Sequence, residues 1–568
     1  MKRHDLTTAN LIFLALLFLF FAAFLIYPLG FMFKGAFWPE GSFTLEYFGI
    51  LFTSPLMVEC VLNSFKMAIL VTILTTALTL PLAHLFTRYQ FWGKAFLSAL
   101  ILVPMILPPF VGAIGMRQFF ARFGSVNLLL TKLGIIAPDA PIDWLGGGGF
   151  WGVVALQVLH LYPIMFLNVS AAMANIDPTL REAGQNLGAG GLRLFRTVTL
   201  PLVMPGYFAG AIIVFIWSFT DLGTPLIFGY TRVIAMQIFD KVTEAATNPL
   251  GYALVVFTLV LTIVLFLISK RWLGQKNYEM MARGHTAGAE ERASGRLTLG
   301  IWAITLVITA AALLPHISLV IMSFTERWFF SVLPQEWTTR HYTEIFSYPL
   351  TLSSIRNSLF FSSLSALLDL VLGVIIAYLL VRKRIPGRNL LDALAMLPLA
   401  LPGLVLAFGY VVGFNFPWMS GWLNPRDNPT ILLVVSYSVR RLPFIVRAAV
   451  AGLQQTNVVL EEASLNLGAS AWRTIRKITV PLVMANLIAG TILTFSFAML
   501  EVSDSLVLAM KENFYPITKA IYALIGRITP GAGNVASAMG MLGMLLLTIS
   551  LFIASKVLGK KMGQLFRA

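Results

Sequence analysis

Leu180–Met204 reads LREAGQNLGAGGLRLFRTVTLPLVM, and Leu460–Met484 reads LEEASLNLGASAWRTIRKITVPLVM. The two stretches lie 280 residues apart, align without a gap and are identical at 14 of 25 positions, including Glu182/Glu462, Ala183/Ala463, Gly188/Gly468 and the PLVM runs from Pro201 and Pro481. Each is a polar island between hydrophobic segments. A hydrophobic chain that repeats a polar segment this faithfully is repeating a surface that touches another molecule.

The rest of the chain is apolar enough to set its class. Of 568 residues, 58% are hydrophobic and only 12% charged, with a mean hydropathy of +0.82. Soluble domains carry roughly a quarter charged residues. Apolar runs fall at about 10–33, 62–86, 95–120, 150–172, 205–228, 248–270, 297–322, 355–381, 389–415, 428–450, 483–508 and 536–558, each long enough to cross roughly 30 Å of hydrocarbon as a helix. The expected fold is therefore an all-α polytopic membrane protein of about twelve spans. The first run exceeds a signal-peptide core and precedes no cleavage site, so it reads as a retained span.

The net charge of +16 points to topology rather than to nucleic acid. With Lys2 and Arg3 inside, one set of loops gathers Arg88, Lys94, Arg181, Arg193, Arg196, Lys270, Arg271, Lys276, Arg283, Arg382, Lys383, Arg384, Arg388, Arg473, Arg476, Lys477, Lys556, Lys560 and Lys561. The opposite loops mix signs, with Glu40, Glu46, Glu59, Asp139, Asp143, Asp240, Lys241 and Glu244. This is the positive-inside asymmetry, and it places both termini and both copies of the repeated segment in the cytoplasm. The single cysteine, Cys60, excludes an internal disulfide and a cysteine metal cluster.

The duplication extends beyond the polar segment. Asn63-Ser64, Arg88, Gly93, Pro104 and Pro108 match Asn357-Ser358, Arg382, Gly387, Pro398 and Pro402 at an offset of 294, and Pro163 matches Pro443 at 280. The difference lies in a longer outer loop of the first half, with a flexible Gly146–Gly149 run. An even number of spans per half makes the repeats parallel, related by a pseudo-twofold axis along the membrane normal with a shared pathway between them. The expected division is a first repeat over 1–273, a mobile cytoplasmic linker over 274–296 and a second repeat over 297–568.

Within each copy, Asp177-Pro178, or Thr456 and Asn457, precede a short helix in the manner of an N-cap. Gly188 and Gly468 stand where that helix should stop. Glu182 and Glu462 sit near its positive dipole end. A basic stretch then leads to the proline that opens the next span. Here the chain resembles the permease subunits of binding-protein-dependent ABC importers, whose EAA signature runs Glu-Ala-Ala, then Gly, then apolar-x-apolar-Pro. Both copies fit: Glu182-Ala183-Gly184, Gly188, Val198, Leu200-Pro201; and Glu462-Ala463-Ser464, Gly468, Ile478, Val480-Pro481. Gly184 and Ser464 replace the third alanine with other small residues. The resemblance implies a fused pair of permeases. Each copy would be a coupling helix docked on a separate ATPase subunit, giving two ATPase copies in the cytoplasm, and an external periplasmic or lipid-anchored binding protein would deliver cargo. The chain itself has no G-x-x-x-x-G-K-[ST] phosphate loop. It is thus expected to bind no cofactor, with ATP-Mg held by the partner, to be no enzyme, and to contact membrane lipid but no nucleic acid. The bacterial inner membrane is the expected location.

Offset 280 also pairs Asp221 with Glu501 near the outer ends of matching spans, with Trp217 and Asp504 close in sequence. Ionisable groups at membrane depth usually face a cavity or a partner. These four are candidate pathway or gate residues favouring a cationic or metal-bearing cargo; alternatively Asp221 and Glu501 cap helix ends or pair with Arg117 and Lys511. No metal ligand is assigned. Asp369, matched by Thr75, reads as a structural pairing group. Arg440 and Arg441, with Arg447 a turn later, read as snorkelling to the cytoplasmic interface or as binding an anionic group in transit. Asp221-Leu222-Gly223-Thr224-Pro225 with Arg271-Trp272-Leu273-Gly274, and Glu501-Val502-Ser503-Asp504 with Tyr515-Pro516-Ile517-Thr518 and Ala520-Ile521-Tyr522, resemble the fused permeases assigned to ferric iron. Iron(III) is the first choice of cargo; phosphonate, thiamine, polyamine or another small solute is the alternative. A secondary transporter of two six-helix halves would not explain the repeated polar helix. A membrane enzyme fits less well, because the six histidines (His4, His84, His160, His285, His316, His341) show no ligand spacing.

Overall fold

Hydrocarbon cannot satisfy a bare backbone N–H or C=O, so a chain this apolar must close its hydrogen bonds inside helices. The computed structural model, which describes residues 8–106, 108–242, 244, 248–274, 291–527, 529 and 531–558, is accordingly helical, with strand pairing among these residues confined to two short two-stranded ribbons. The first half runs α1 (Asn10–Phe37), α2 (Pro55–Arg88), the bent pair α3 (Lys94–Met105 with Pro109–Lys132), α4 (Gly147–Ala174), the short α5 (Pro178–Asn186), α6 (Gly191–Phe219) and α7 (Pro249–Ile268). The second runs α8 (Gly295–Ser323), α9 (Pro349–Arg382), the bent pair α10 (Arg388–Leu399 with Gly403–Gly413), α11 (Thr430–Gln455), the short α12 (Val459–Asn466), α13 (Ala471–Met499) and α14 (Ala532–Ile553). Nine of these are single helices long and apolar enough to cross a bilayer, and the bent pairs bring the number to eleven. The twelfth is α11, which has the length, at 26 residues, but carries Arg440, Arg441 and Arg447.

The structure corrects the third span of each half, expected as one straight helix. α3 turns by 89° and α10 by 104°. The elbows fall at the matched prolines: Pro108 and Pro402 cap the second limb with ψ of 133° and 138°, while Pro104 and Pro398 lie in the 3-10 turns ahead of them. A proline has no N–H to donate and disfavours helical backbone before it, so two prolines four residues apart break the ladder twice. A second correction concerns the spans opened by Pro201 and Pro481. Their helices begin earlier, at Gly191 and Ala471, and pass through a π turn over Phe195–Thr199 and Ile475–Thr479. There Leu200 and Val480 donate to the carbonyls of Phe195 and Ile475, one residue further back than in an α-helix.

The compact units do not follow the sequence repeats. One gathers the described parts of Met1–Ser54, Gln237–Leu259 and Arg340–Leu565; the other, those of Pro55–Met236 and Val260–Thr339. Inside the first unit, α1 lies on α10. Tyr27 Oη donates to the Gly413 carbonyl at 2.9 Å, Tyr410 Oη donates to the Phe24 carbonyl at 2.7 Å, and Gly409 lets Pro28 and Met32 approach. Inside the second unit, α8 lies on α3, where a methyl on Gly115 would fall 2.5 Å from Ser318 Oγ. Trp302 stacks on Trp92 at 5.3 Å and donates from Nε1 to its carbonyl at 2.9 Å. The opening span of each sequence half is therefore housed with the body of the other half. Small residues at such contacts let helices approach where no hydrophobic drive separates helix from lipid. Most of the 274–296 linker lies outside the described residues.

The duplicated Asn-Ser pairs gain a role here. Ser64 Oγ accepts the Ile234 N–H at 2.9 Å and Ser358 Oγ accepts the Ile517 N–H at 2.7 Å. Each serine caps the short helix that follows the fifth span, Ile234–Lys241 or Ile517–Ile525. Asn63 Nδ2 donates to the Arg232 carbonyl, and Asn357 Nδ2 to those of Asn513 and Tyr515. The matched polar pair thus fastens the same crossing point in both copies.

Candidate functional site

The two EAA segments fold alike down to individual hydrogen bonds. Asp177 opens α5: its Oδ1 accepts the Thr179 N–H at 2.9 Å and the Thr179 hydroxyl at 2.8 Å, and these donors hold its carboxyl below the ordinary range. At α12 the acceptor is Asn457 Oδ1, taking the Val459 N–H at 3.1 Å. Thr456, the other candidate cap, serves Arg382 instead. Each helix then stops in a Schellman motif. In α5, Gly188 (φ +81°) donates to the Gln185 carbonyl and Ala189 to that of Gly184. In α12, Gly468 (φ +85°) donates to the Leu465 carbonyl and Ala469 to that of Ser464. Glycine is needed because φ is positive, not because space is short: nothing lies within 4 Å of a Cβ at either position.

This cap turns a matching set of side chains outward. Glu182, Ala183, Glu462 and Ala463 are exposed, Gly184 and Ser464 half-buried, and Gly188 and Gly468 exposed. Leu187 and Leu467, the residues at the turn, are each 88% exposed. The same open leucine thus recurs at the same register in both copies, at the end of the same short helix.

The pathway candidates fall in unlike settings. Asp221 lies just past the end of α6 and is held by neutral donors: Gln157 Nε2 at 3.0 Å and the Gly223 N–H at 3.0 Å. Ser218 Oγ in turn donates to Gln157 Oε1 at 2.5 Å. Trp217, on the last turn of α6, is 43% exposed. Glu501 instead takes ion pairs from both Arg440 and Arg441, and Arg440 also reaches Asp504 at 3.4 Å. Ser505 Oγ, within 2.6 Å of Tyr437 Oη, donates to the Glu501 carbonyl. Gly403, at the α10 elbow, leaves room for the guanidinium, since a methyl there would lie 2.2 Å from Arg440 Nη1.

Three expectations are corrected by this arrangement. Arg440 and Arg441 do not snorkel, because carboxylates on the neighbouring segment compensate them where they stand. Arg117 donates to the Ile227 carbonyl rather than to Asp221. Lys511 pairs with Asp427 rather than with Glu501. Asp369 behaves as a structural group, accepting from Ser438 Oγ at 2.5 Å. The first-half counterparts of Tyr437, Arg440, Arg441 and Asp504 are Gln157, His160, Leu161 and Thr224, so the charged cluster belongs to the second copy alone. Among the described residues no group of three or more His, Cys, Asp or Glu could hold a metal ion, and Cys60 is buried and unpaired.

Up to twelve spans among the described residues, in two homologous halves that each carry one polar helix capped and stopped in the same way, define a solute permease. The chain belongs to the family of binding-protein-dependent transport system inner membrane components, whose pattern matches twice, over residues 76–276 and 369–564. It is 30% identical over 535 residues to FbpB 1 of Haemophilus influenzae, named as a ferric transport system permease, covering 90% of this chain and 79% of that one. It is likewise 30% identical over 550 residues to the ferric transport system permease protein FbpB of Actinobacillus pleuropneumoniae, covering 93% of this chain and 75% of the relative. A molybdenum transport system permease protein, ModB of Haemophilus influenzae, matches at 30% over 238 residues, which is 40% of this chain but 99% of ModB. A permease protein less than half as long as this chain thus aligns over nearly its whole length.

Proposed function

We propose that this chain is the whole membrane pathway of an ATP-driven importer that receives iron(III) from an external binding protein. The cargo assignment rests on relatives named for ferric transport that align with nearly the full chain. Two ABC ATPase subunits would dock on α5 and α12 in the cytoplasm and hold the ATP-Mg, with the permease lying in a bacterial inner membrane and both its termini cytoplasmic. The observation that carries the docking reading is the pair of Schellman-capped helices presenting Leu187 and Leu467. Closure of the ATPase dimer would draw these helices together, and the continuous helices α6 and α13 would pass the movement towards the segments bearing Asp221 and Glu501. The loaded binding protein biases the cycle by binding the outward-facing state better than the inward-facing one.

In this reading the buried carboxylates shape and gate the pathway rather than chelate the ion. Glu501 is neutralised by two arginines, and a metal would have to displace them. The test is uptake of radiolabelled iron(III) from its binding protein into proteoliposomes holding the assembled complex. Excess unlabelled iron(III)-loaded binding protein should abolish it. Uptake of molybdate, a phosphonate, thiamine or a polyamine in its place would reassign the cargo. Leu187→Glu with Leu467→Glu should strip the ATPase from the purified complex, and its retention would refute the docking assignment.

A further inference from the structure

Arg88 and Arg382 occupy equivalent positions at the ends of α2 and α9, yet they hold different things. Arg382 Nε donates to Glu461 Oε1 in α12 at 3.0 Å, and its Nη2 donates to the Thr456 carbonyl and hydroxyl at 3.0 and 2.8 Å. This clasp is dry: the side chains of Arg382 and Glu461 are 7% and 11% exposed. A second polar link, Ser464 Oγ to Thr474 Oγ1 at 2.9 Å, ties α12 to the start of α13.

None of these partners exists in the first copy. Glu461 is replaced by Arg181, Thr456 by Ile176, and the Ser464–Thr474 pair by Gly184 and Leu194. Arg181 would repel Arg88. Arg88 is taken up instead by Glu291, at 3.1 Å, where β1 (Tyr89–Gln90) pairs in parallel with β2 (Glu291–Arg292) just ahead of α8. The Ala293 N–H adds a bond to the Gln90 carbonyl, and Ser294 caps α8. This contact is wetter, with Arg88 22% and Glu291 50% exposed, and exposed pairs contribute little to stability.

We propose that Arg382 is a positioning residue that makes the two ATPase docks unequal: it locks α12 to α9 as a stiff lever, while α5 lacks the clasp because Arg88 has been turned over to anchoring the end of the inter-repeat segment. Movement imposed on α12 then passes through a buried ion pair into α9 as well as along α13, whereas movement imposed on α5 passes along α6. A chain that fuses two permeases is free to diverge in this way, since each copy needs to serve only one side. The inference rests on α5 and α12 being the docks.

Hydrogen exchange on the purified full-length permease, without ATPase, tests the clasp directly. Amides of α12 should exchange roughly tenfold more slowly than those of α5, within the range of ordinary coupling energies. Glu461→Gln or Arg382→Ala should erase that difference, and Arg382→Glu with Glu461→Arg should restore it. Arg88→Ala should speed exchange at 291–294 and leave α5 unchanged. In the reconstituted importer, Glu461→Gln should cut iron(III) uptake per ATP hydrolysed several-fold, while Glu291→Gln changes it less than twofold. Equal exchange of α5 and α12 in the unmodified chain, or equal effects of the two Gln variants on coupling, would overturn the proposal. Retention of the ATPase by the double Leu→Glu variant would instead overturn the docking assignment and leave the exchange result standing.

Discussion

Asp221 and Glu501 share a register and differ in what removing their charge would do. Glu501→Gln removes the ion-pair partner of Arg441 and leaves Arg440 with Asp504 alone, and breaking a buried ion pair costs about 3–5 kcal/mol. Asp221→Asn places an amide among neutral donors and should cost about 1 kcal/mol. Thermal unfolding of the detergent-solubilised chain should therefore separate the two variants clearly; equal shifts would mean that the Arg440–Arg441 cluster is not a structural unit. Adding Arg441→Gln to Glu501→Gln should recover part of the loss, because contacting residues are not additive. The pairing of Asp221 with Glu501 was legible from the offset alone. The arginine partners were not, since Arg-Arg-Leu-Pro-Phe is compatible equally with a snorkelling pair and with a clasp on a carboxylate sixty residues away. Only the packing of α11 against the segment after α13 decides between them.

At the scale of the element, the short helices were the best predicted parts of the chain, because their signals are local. A cap acceptor and a glycine at C′, joined in α5 by a proline in the first turn, define start and stop within about a dozen residues. Gly188→Ala and Gly468→Ala should each cost about 1 kcal/mol by forcing a Cβ into left-handed backbone, and asparagine at either site should recover much of that. Faster amide exchange in α5 and α12 of the alanine variants, with normal exchange in the asparagine variants, would verify this. Asp177 offers a pH test. Its carboxyl titrates below its unfolded value, so its contribution to α5 is complete at neutral pH and fades only as the pH falls through the folded value. Asp177→Ala should loosen the first turn of α5 at neutral pH, and Asp177→Asn should not. The elbows of α3 and α10 were harder to foresee. Their prolines were visible as matched pairs, but bends of 89° and 104° are tolerated at membrane depth only where surrounding protein or water satisfies the broken backbone, which no local signal announces.

At the scale of the whole molecule, the opening spans decide how the halves depend on each other. Since α1 is packed with the body of the second half and α8 with that of the first, neither half made alone retains the neighbours of its own first span. Residues 1–274 and 275–568 expressed separately should each be poorly stable, and their co-expression should recover a complex that takes up iron(III); a stable, monodisperse half would refute this interdependence. The number of spans, the duplication, and the starts and stops of the repeated helices were determined by the sequence itself, through hydropathy, caps and a constant offset. These depend on a residue and its near neighbours, or on self-similarity, and both can be read along the chain. The housing of α1 and α8, the clasp of Arg440 and Arg441 on Glu501, and the divergence of Arg88 from Arg382 were decided by tertiary structure alone. In each case the energy comes from groups 60 to more than 380 residues apart that meet only when helices pack, and a repeat copies side chains without copying their partners.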